Sequence, residues 1–274
     1  MPQPLSRAEF RARYGPWALV AGASEGFGAA WAREVAARGC DVVLVARREP
    51  PLAALAREIE RAHGGATRCV VADLAAHDVD AQLARATESL EIGLLVYNAA
   101  QASPGNFAEL ETSALLRALD VNSRSPLLLA HHFGSRMLAR GRGGVVLMSS
   151  LSGVAGSSFL AVYAATKAFD WVLGEGLHHE WKVRGVDVLA AVAGLTDTPN
   201  ARSMGVKMDA MPAMQPEDAV RDLLGALGSE PFWVAGEGNR ARLAMLEGLP
   251  RKQRSEGLSA AARLVYGMDA DAKS

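Results

Sequence analysis

Tyr163 and Lys167 stand four residues apart in a stretch that reads as helix, so they share one helical face. A free phenol has a pKa of about 10, too high for a base at neutral pH, and a nearby positive charge favours the phenolate. Such a pair is a candidate for proton transfer. The spacing alone is common; its surroundings give it weight. Ser149-Ser150 closes the apolar run just before that helix, and Asn98-Ala99-Ala100 closes an earlier one. Both sit where the carboxyl edge of an α/β sheet binds ligands.

A second group suits an anion. The first apolar run, Trp17 to Ala21, leads into Gly22-Ala23-Ser24-Glu25-Gly26-Phe27-Gly28 and then a helix. Glycines let the backbone turn sharply and approach a pyrophosphate, and the helix N-terminus offers free N–H groups. The spacing is G-x3-G-x-G, which a plain strand-to-helix turn also uses. Some twenty residues on, where an NAD-binding fold carries Asp or Glu, stands Ala46, followed by Arg47-Arg48. Alanine leaves room for a 2′-phosphate and an arginine can bind it, so NADP(H) is favoured over NAD(H). Arg48 also reads as the start of a solvated loop.

The elements that position these residues alternate along the chain. The sequence predicts strands at 17–21, 41–46, 67–72, 92–97, 144–148, 186–192 and 231–235. It predicts helices at about 26–38, 51–62, 79–89, 107–139 and 159–183, with Gly39 as a C-terminal cap. This is a chain of βαβ units, and the expected fold class is α/β: a doubly wound, Rossmann-type parallel sheet of about seven strands with helices on both faces. The reading is one dinucleotide-binding and catalytic domain over 1–274. Residues of about 195–215 would form a substrate lid, and about 239–274 a helical, charged extension broken at Leu249-Pro250.

Taken together the motifs resemble the short-chain dehydrogenase/reductase family, in its short single-domain subgroup. The features are Gly22-x3-Gly26-x-Gly28, Asp73-Leu74, Asn98-Ala99-Ala100, Asn122, Ser150 and Tyr163-x3-Lys167, in family order. The resemblance implies an oxidoreductase interconverting a ketone or aldehyde and an alcohol. It makes Tyr163 the acid for reduction and the base for oxidation, and gives Lys167 the nicotinamide ribose. Ser150 would hydrogen-bond the substrate oxygen, while Ser149 has an alternative as a turn cap. It implies cofactor contacts from Gly22, Ser24, Glu25, Gly26, Phe27 and Gly28, an adenine contact at Asp73 with Leu74, and a ribose contact at Ala99 and Ala100, with Asn98 steadying the sheet. Gly194, Thr196 and Thr198 would meet the nicotinamide end. Pro126 lacks the N–H that would normally bind the Asn122 carbonyl, so it kinks the helix and frees that carbonyl for a relay water.

Departures are Ala21 for the usual threonine, Ala100 for the usual glycine, and Ala193-Gly194 for the usual Pro-Gly, which loosens the loop carrying Thr198. Met204, Met208, Met211 and Met214 with Val206 suit either an adaptable apolar pocket or ordinary core packing. With Leu151, Val154, Ala155 and Phe159 they suggest a bulky apolar substrate. The tail either covers the site or builds a subunit interface.

Net charge is −1, which gives no basic surface for nucleic acid. The polar stretch Met1–Tyr14 lacks a signal-like apolar core, no run approaches a membrane span, and a cytoplasmic protein is expected. Cys40 and Cys69 read as two buried thiols, and the paired histidines at 131–132 and 178–179 lack chelating spacing, so no metal is expected. The resemblance favours a homodimer or homotetramer built on the two long helices. A non-catalytic NADP(H)-binding regulator is the alternative; such proteins typically lose the tyrosine or lysine, and both are present.

Overall fold

The computed structural model describes residues 5–268; residues 1–4 and the 269–274 part of the expected helical extension lie outside it. Its elements run α1 (Arg7–Tyr14), β1 (Trp17–Ala21), α2 (Gly26–Ala37), β2 (Asp41–Ala46), α3 (Glu49–His63), β3 (Thr67–Val71), α4 (Val79–Ala86) and β4 (Ile92–Tyr97). They continue α5 (Thr112–Leu119), α6 (Ser125–Arg140), β5 (Gly143–Ser150), α7 (Ala161–Lys182), β6 (Val186–Ala193), α8 (Pro199–Ser203), α9 (Pro216–Ala226), β7 (Phe232–Val234), α10 (Glu237–Glu247) and α11 (Arg251–Tyr266). The seven strands are parallel in the order β3-β2-β1-β4-β5-β6-β7. The chain reverses its direction of travel between β1 and β4, which opens a crevice at the carboxyl edge there.

The strands are apolar on both faces because both are covered. Val20, Leu44 and Leu94 face one layer with Trp31, Leu52 and Leu223. Leu19, Val43 and Leu95 face the other with Leu83, Phe133 and Trp181. Register then levels the strand ends: Ala21 pairs with Val45 and Tyr97, and Ser150 with Ala193. Gly22, Asn98, Ser150 and Gly194 are therefore delivered to one edge.

Several expected elements change. The single helix over 107–139 is a 3₁₀ turn at Phe107–Glu109, α5, a π-helical turn at Asp120–Arg124, and α6. Pro126 has no N–H to give to Asn122, and the chain widens instead: the Ser125 N–H donates to the Asp120 carbonyl, five residues back. Helix α4 stops at Ala86, with Thr87 Oγ1 donating to the Leu83 carbonyl. Helix α7 starts at Ala161, because Phe159 adopts φ 62°. Cys40 is buried as expected, and burial pushes its thiol up to about 12, but Cys69 is exposed because β3 is an edge strand. Helix α1 was not expected; Ser6 and Glu9 form a reciprocal cap at its start.

Candidate active site

The cofactor end is an anion cradle. The chain leaves β1 at Gly22, whose φ of 85° suits glycine and brings its α-carbon face against the Ala99 backbone. A Cβ at Gly28 would overlap the Gly22 carbonyl oxygen, so Gly28 serves the close turn and does not line the cavity. Helix α2 opens with no side-chain cap and no acidic residue in its first turn, leaving its N–H groups to a ligand. Ser24, Glu25, Gly26 and Phe27 line the cavity beside it. The two arginines divide: Arg48 pairs with Glu25 at 2.8 Å, whereas Arg47 lines the cavity and has no carboxylate partner among the described residues. Buried Ala46 lies beneath them. These features fit a phosphorylated dinucleotide.

Asp73 and Leu74 border the same end. Arg117 of α5 donates to both Asp73 oxygens, at 2.9 and 3.0 Å, and the Ala75 N–H adds a third bond. Burial opposes the Asp73 charge, but these donors outweigh it and hold the carboxyl below its usual range. Arg117 was missed in the sequence; it stands 44 residues from its partner. Asn98 donates Nδ2 to the Gly22 carbonyl at 3.1 Å, tying the ends of β4 and β1, and Ala99 and Ala100 complete this wall.

The floor lies between β5 and α7. Ser150, Tyr163 and Lys167 all line the cavity. The Lys167 Nζ is 5.9 Å from the Tyr163 ring centre. It donates to the Met148 carbonyl at 2.7 Å and to Asp170 Oδ2 at 2.9 Å. Both candidate serines line the cavity, but their hydroxyls are engaged differently. Ser149 is buried and donates to the Lys167 carbonyl at 2.7 Å, while Ser150 Oγ meets Ser152 Oγ at 3.3 Å at the cavity wall. Asn122 is fully buried and does not line the cavity. Its side chain bonds both the N–H and the carbonyl of Gln101, each at 2.7 Å, and Nδ2 reaches Thr166 Oγ1 at 3.0 Å. It thus straps the π turn to α7 one residue before Lys167.

The far end holds the residues expected to face the nicotinamide and the substrate. Gly194, Thr196 and Thr198 line it. The loop that lost its proline is held another way: Met214 N–H donates to the Leu195 carbonyl, Asp197 N–H donates back to the Met214 carbonyl, and Asn239 occupies the space a Cβ at Gly194 would need. Thr198 Oγ1 caps α8, accepting from Ala201 at 3.1 Å. The methionines divide as well. Met204 and Met211 line the cavity with Val206, whereas Met214 packs on the core and Met208 is not at the wall. Leu151 lines it, but Val154, Ala155 and Phe159 do not. Val154 and Ala155 turn away to pack on Leu246 and Leu258. That contact brings the tail back over the site: Leu258, Ala262, Val265 and Tyr266 of α11 form the opposite wall. Burial, then the charge of Tyr163, pushes the Tyr266 phenol up to about 12. Arg242 of α10 lines this end, its guanidinium pushed down by burial. The whole cavity is about 400 Å³. Among the described residues there is no metal-binding cluster and no helix long and apolar enough to cross a membrane.

Residues 16–209 match the family model for short chain dehydrogenase. A 7beta-hydroxysteroid dehydrogenase of Clostridium sardiniense is 37% identical over 238 residues, 85% of this chain and 90% of that protein. A structure solved for a study of 7beta-hydroxysteroid dehydrogenase stereoselectivity superposes with a TM-score of 0.86 at 30% identity, over 91% of this chain and 98% of the other. A short-chain dehydrogenase from Sphingobium yanoikuyae in complex with NADPH superposes with a TM-score of 0.75 at 29% identity, over 86% and 96%.

Proposed function

The chain belongs to the short-chain dehydrogenases, and from that premise we propose that it is an NADP(H)-dependent enzyme interconverting a bulky apolar ketone, of the hydroxysteroid class, with its alcohol. One observation carries the reading: Tyr163, Lys167 and Ser150 line the same cavity as Arg47 at one end and the apolar wall of α11 at the other. The relatives named for hydroxysteroids support the substrate class, and the NADPH-bound relative supports the cofactor.

Bound NADPH supplies the hydride. The chain's own residues do the rest. The uncapped start of α2 and the Arg47 guanidinium hold the phosphates. Ser150 Oγ donates a hydrogen bond to the substrate carbonyl oxygen, where negative charge develops. Tyr163 gives that oxygen a proton on reduction and takes it back on oxidation. The Lys167 ammonium lowers the cost of the phenolate left behind. By the family resemblance, the Asn122 carbonyl would hold a water on the route that reprotonates the pair. Met204, Met211 and α11 exclude water from an apolar substrate. The exposed leucines at 116, 119 and 127 and Val172, on α5, α6 and α7, support assembly of two or four copies.

The test is a panel of steroid and simple ketones assayed by cofactor absorbance with NADPH and NADH in parallel. Turnover of bulky ketones with NADPH is expected. A preference for small charged keto acids, or for NADH, would count against the reading.

A further inference from the structure

Two buried charges lie under the floor of the site, and the second has no part in the mechanism above. Lys167 and Asp170 are three residues apart on α7, with side chains 3% and 2% exposed. Asp170 Oδ2 accepts from Lys167 Nζ at 2.9 Å, while Asp170 Oδ1 is buried with no hydrogen-bond partner among the described residues. A carboxylate in this state is expensive. Desolvation of a buried ion pair rivals its attraction, and an unsatisfied oxygen adds to the cost. Structure alone gives no reason to retain it.

The surroundings leave the pair isolated. Strands β5 and β7 and the turn Leu151–Val154 carry no ionisable side chain. Asp187 of β6 is at the opposite edge, Arg117 of α5 is engaged with Asp73, and Asp120 and Arg124 of the π turn pair with each other. Tyr97 of β4 donates to the Val121 carbonyl; burial first, then the Asp170 charge, push its phenol well up. Among the described residues, Lys167 is thus the one cation acting on Asp170. With two of its N–H groups taken by Met148 and Asp170, the ammonium keeps one of three for the cavity.

We propose that Asp170 is a positioning residue, which keeps Lys167 charged and seated against the Met148 carbonyl so that Tyr163 faces a fixed cation. The inference deepens the proton-transfer reading and rests on it for its purpose, though not for its test. Burial works against the Lys167 charge and Asp170 outweighs it, so the ammonium is held above the ordinary lysine range. Without Asp170 only the opposing effect remains, and the lysine would lose its proton sooner. A neutral lysine no longer favours the phenolate.

The test reads Lys167 itself. The chain has five lysines, so NMR of the full protein labelled with ¹³C at the lysine ε-carbons resolves each titration, and Lys167→Met assigns the signal. The wild-type Lys167 midpoint is expected above 10.5, the ordinary lysine value. In Asp170→Asn it should fall by about one pH unit or more, and Asp170→Glu should restore most of the shift. An unmoved midpoint in Asp170→Asn overturns the proposal. So does failure of both Asp170→Asn and Asp170→Ala to fold, because that gives the carboxylate a purely structural duty. If no ketone is turned over, the enzymatic reading falls while this titration is still decided on its own.

Discussion

Two buried aspartates at opposite edges of the same sheet are treated very differently. At the amino edge, Asp187 of β6 is 1% exposed and receives Arg13 Nε at 2.7 Å, the Tyr14 hydroxyl at 2.9 Å and Lys182 Nζ at 2.8 Å. Three donors from two helices close that edge. At the carboxyl edge, among the described residues, Asp170 has one donor and a bare oxygen, α2 has no side-chain cap, and Arg47 has no carboxylate partner. The contrast holds for these two aspartates and not for every polar group of each edge, since Arg140 Nε, beside the start of β4, is also buried without a partner among the described residues. Burial alone does not tell the two aspartates apart; the number of donors that reach each one does.

The strongest way to break that distinction is to remove the group at the centre of the open edge. Tyr163→Phe should lower turnover by about 10³-fold, the usual loss when a general acid is deleted, with NADPH binding by fluorescence titration within a few-fold of wild type. Near-normal turnover would show that the open edge is not the reacting one. Next in size is Arg47→Ala. Loss of charge-assisted bonds to a 2′-phosphate should weaken NADPH about 10- to 100-fold and leave NADH nearly unchanged; equal losses for the two cofactors would remove Arg47 from that contact.

The difference between the edges was only half legible in the sequence. The strands, the glycine turn and the Tyr163–Lys167 spacing are local signals, written in runs of a few residues, and the sheet follows from them. The partners of these groups are not local. Arg117 reaches Asp73 across 44 residues, and α11 returns to the site through Ser259 Oγ accepting from Ser158 N–H at 2.9 Å and Ser255 Oγ donating to the Gly156 carbonyl at 2.6 Å. Asp170 reads as an ordinary polar helix residue until the packing of α7 on the sheet buries it. The Pro126 effect was legible in kind, but only the neighbouring helix turns decide between a kink and a π turn. Helix α1 had a readable start in Ser6 and Glu9, masked by the polar composition around it.

A smaller effect is expected at the closed edge. Asp187→Ala strands Arg13, Tyr14 and Lys182 and should cost about 2 kcal/mol in denaturant unfolding, at the low end for a buried charge because both cations can turn toward solvent. Turnover per folded molecule should stay unchanged. A fall in turnover with no fall in stability would reverse the roles assigned to the two edges.

The smallest effect sharpens the comparison through acid. Burial raises the Asp170 carboxyl to about 6 despite the pull of Lys167, from 3.8 for a free aspartate. The folded state therefore holds this proton more tightly than the unfolded chain. The stability it contributes is complete below a pH of about 4 and is lost as pH rises through about 6. Each unit of such a shift is worth about 1.4 kcal/mol, so wild type should lose at least about 1 kcal/mol relative to Asp170→Asn across that window. The other carboxylates are common to both proteins and cancel, so the stability gap between Asp170→Asn and wild type should widen as pH rises from about 4 to about 7 and narrow again toward acid. Curves that stay parallel from pH about 4 to about 7 would mean that Asp170 is ionised throughout, as well compensated as its counterpart at the other edge.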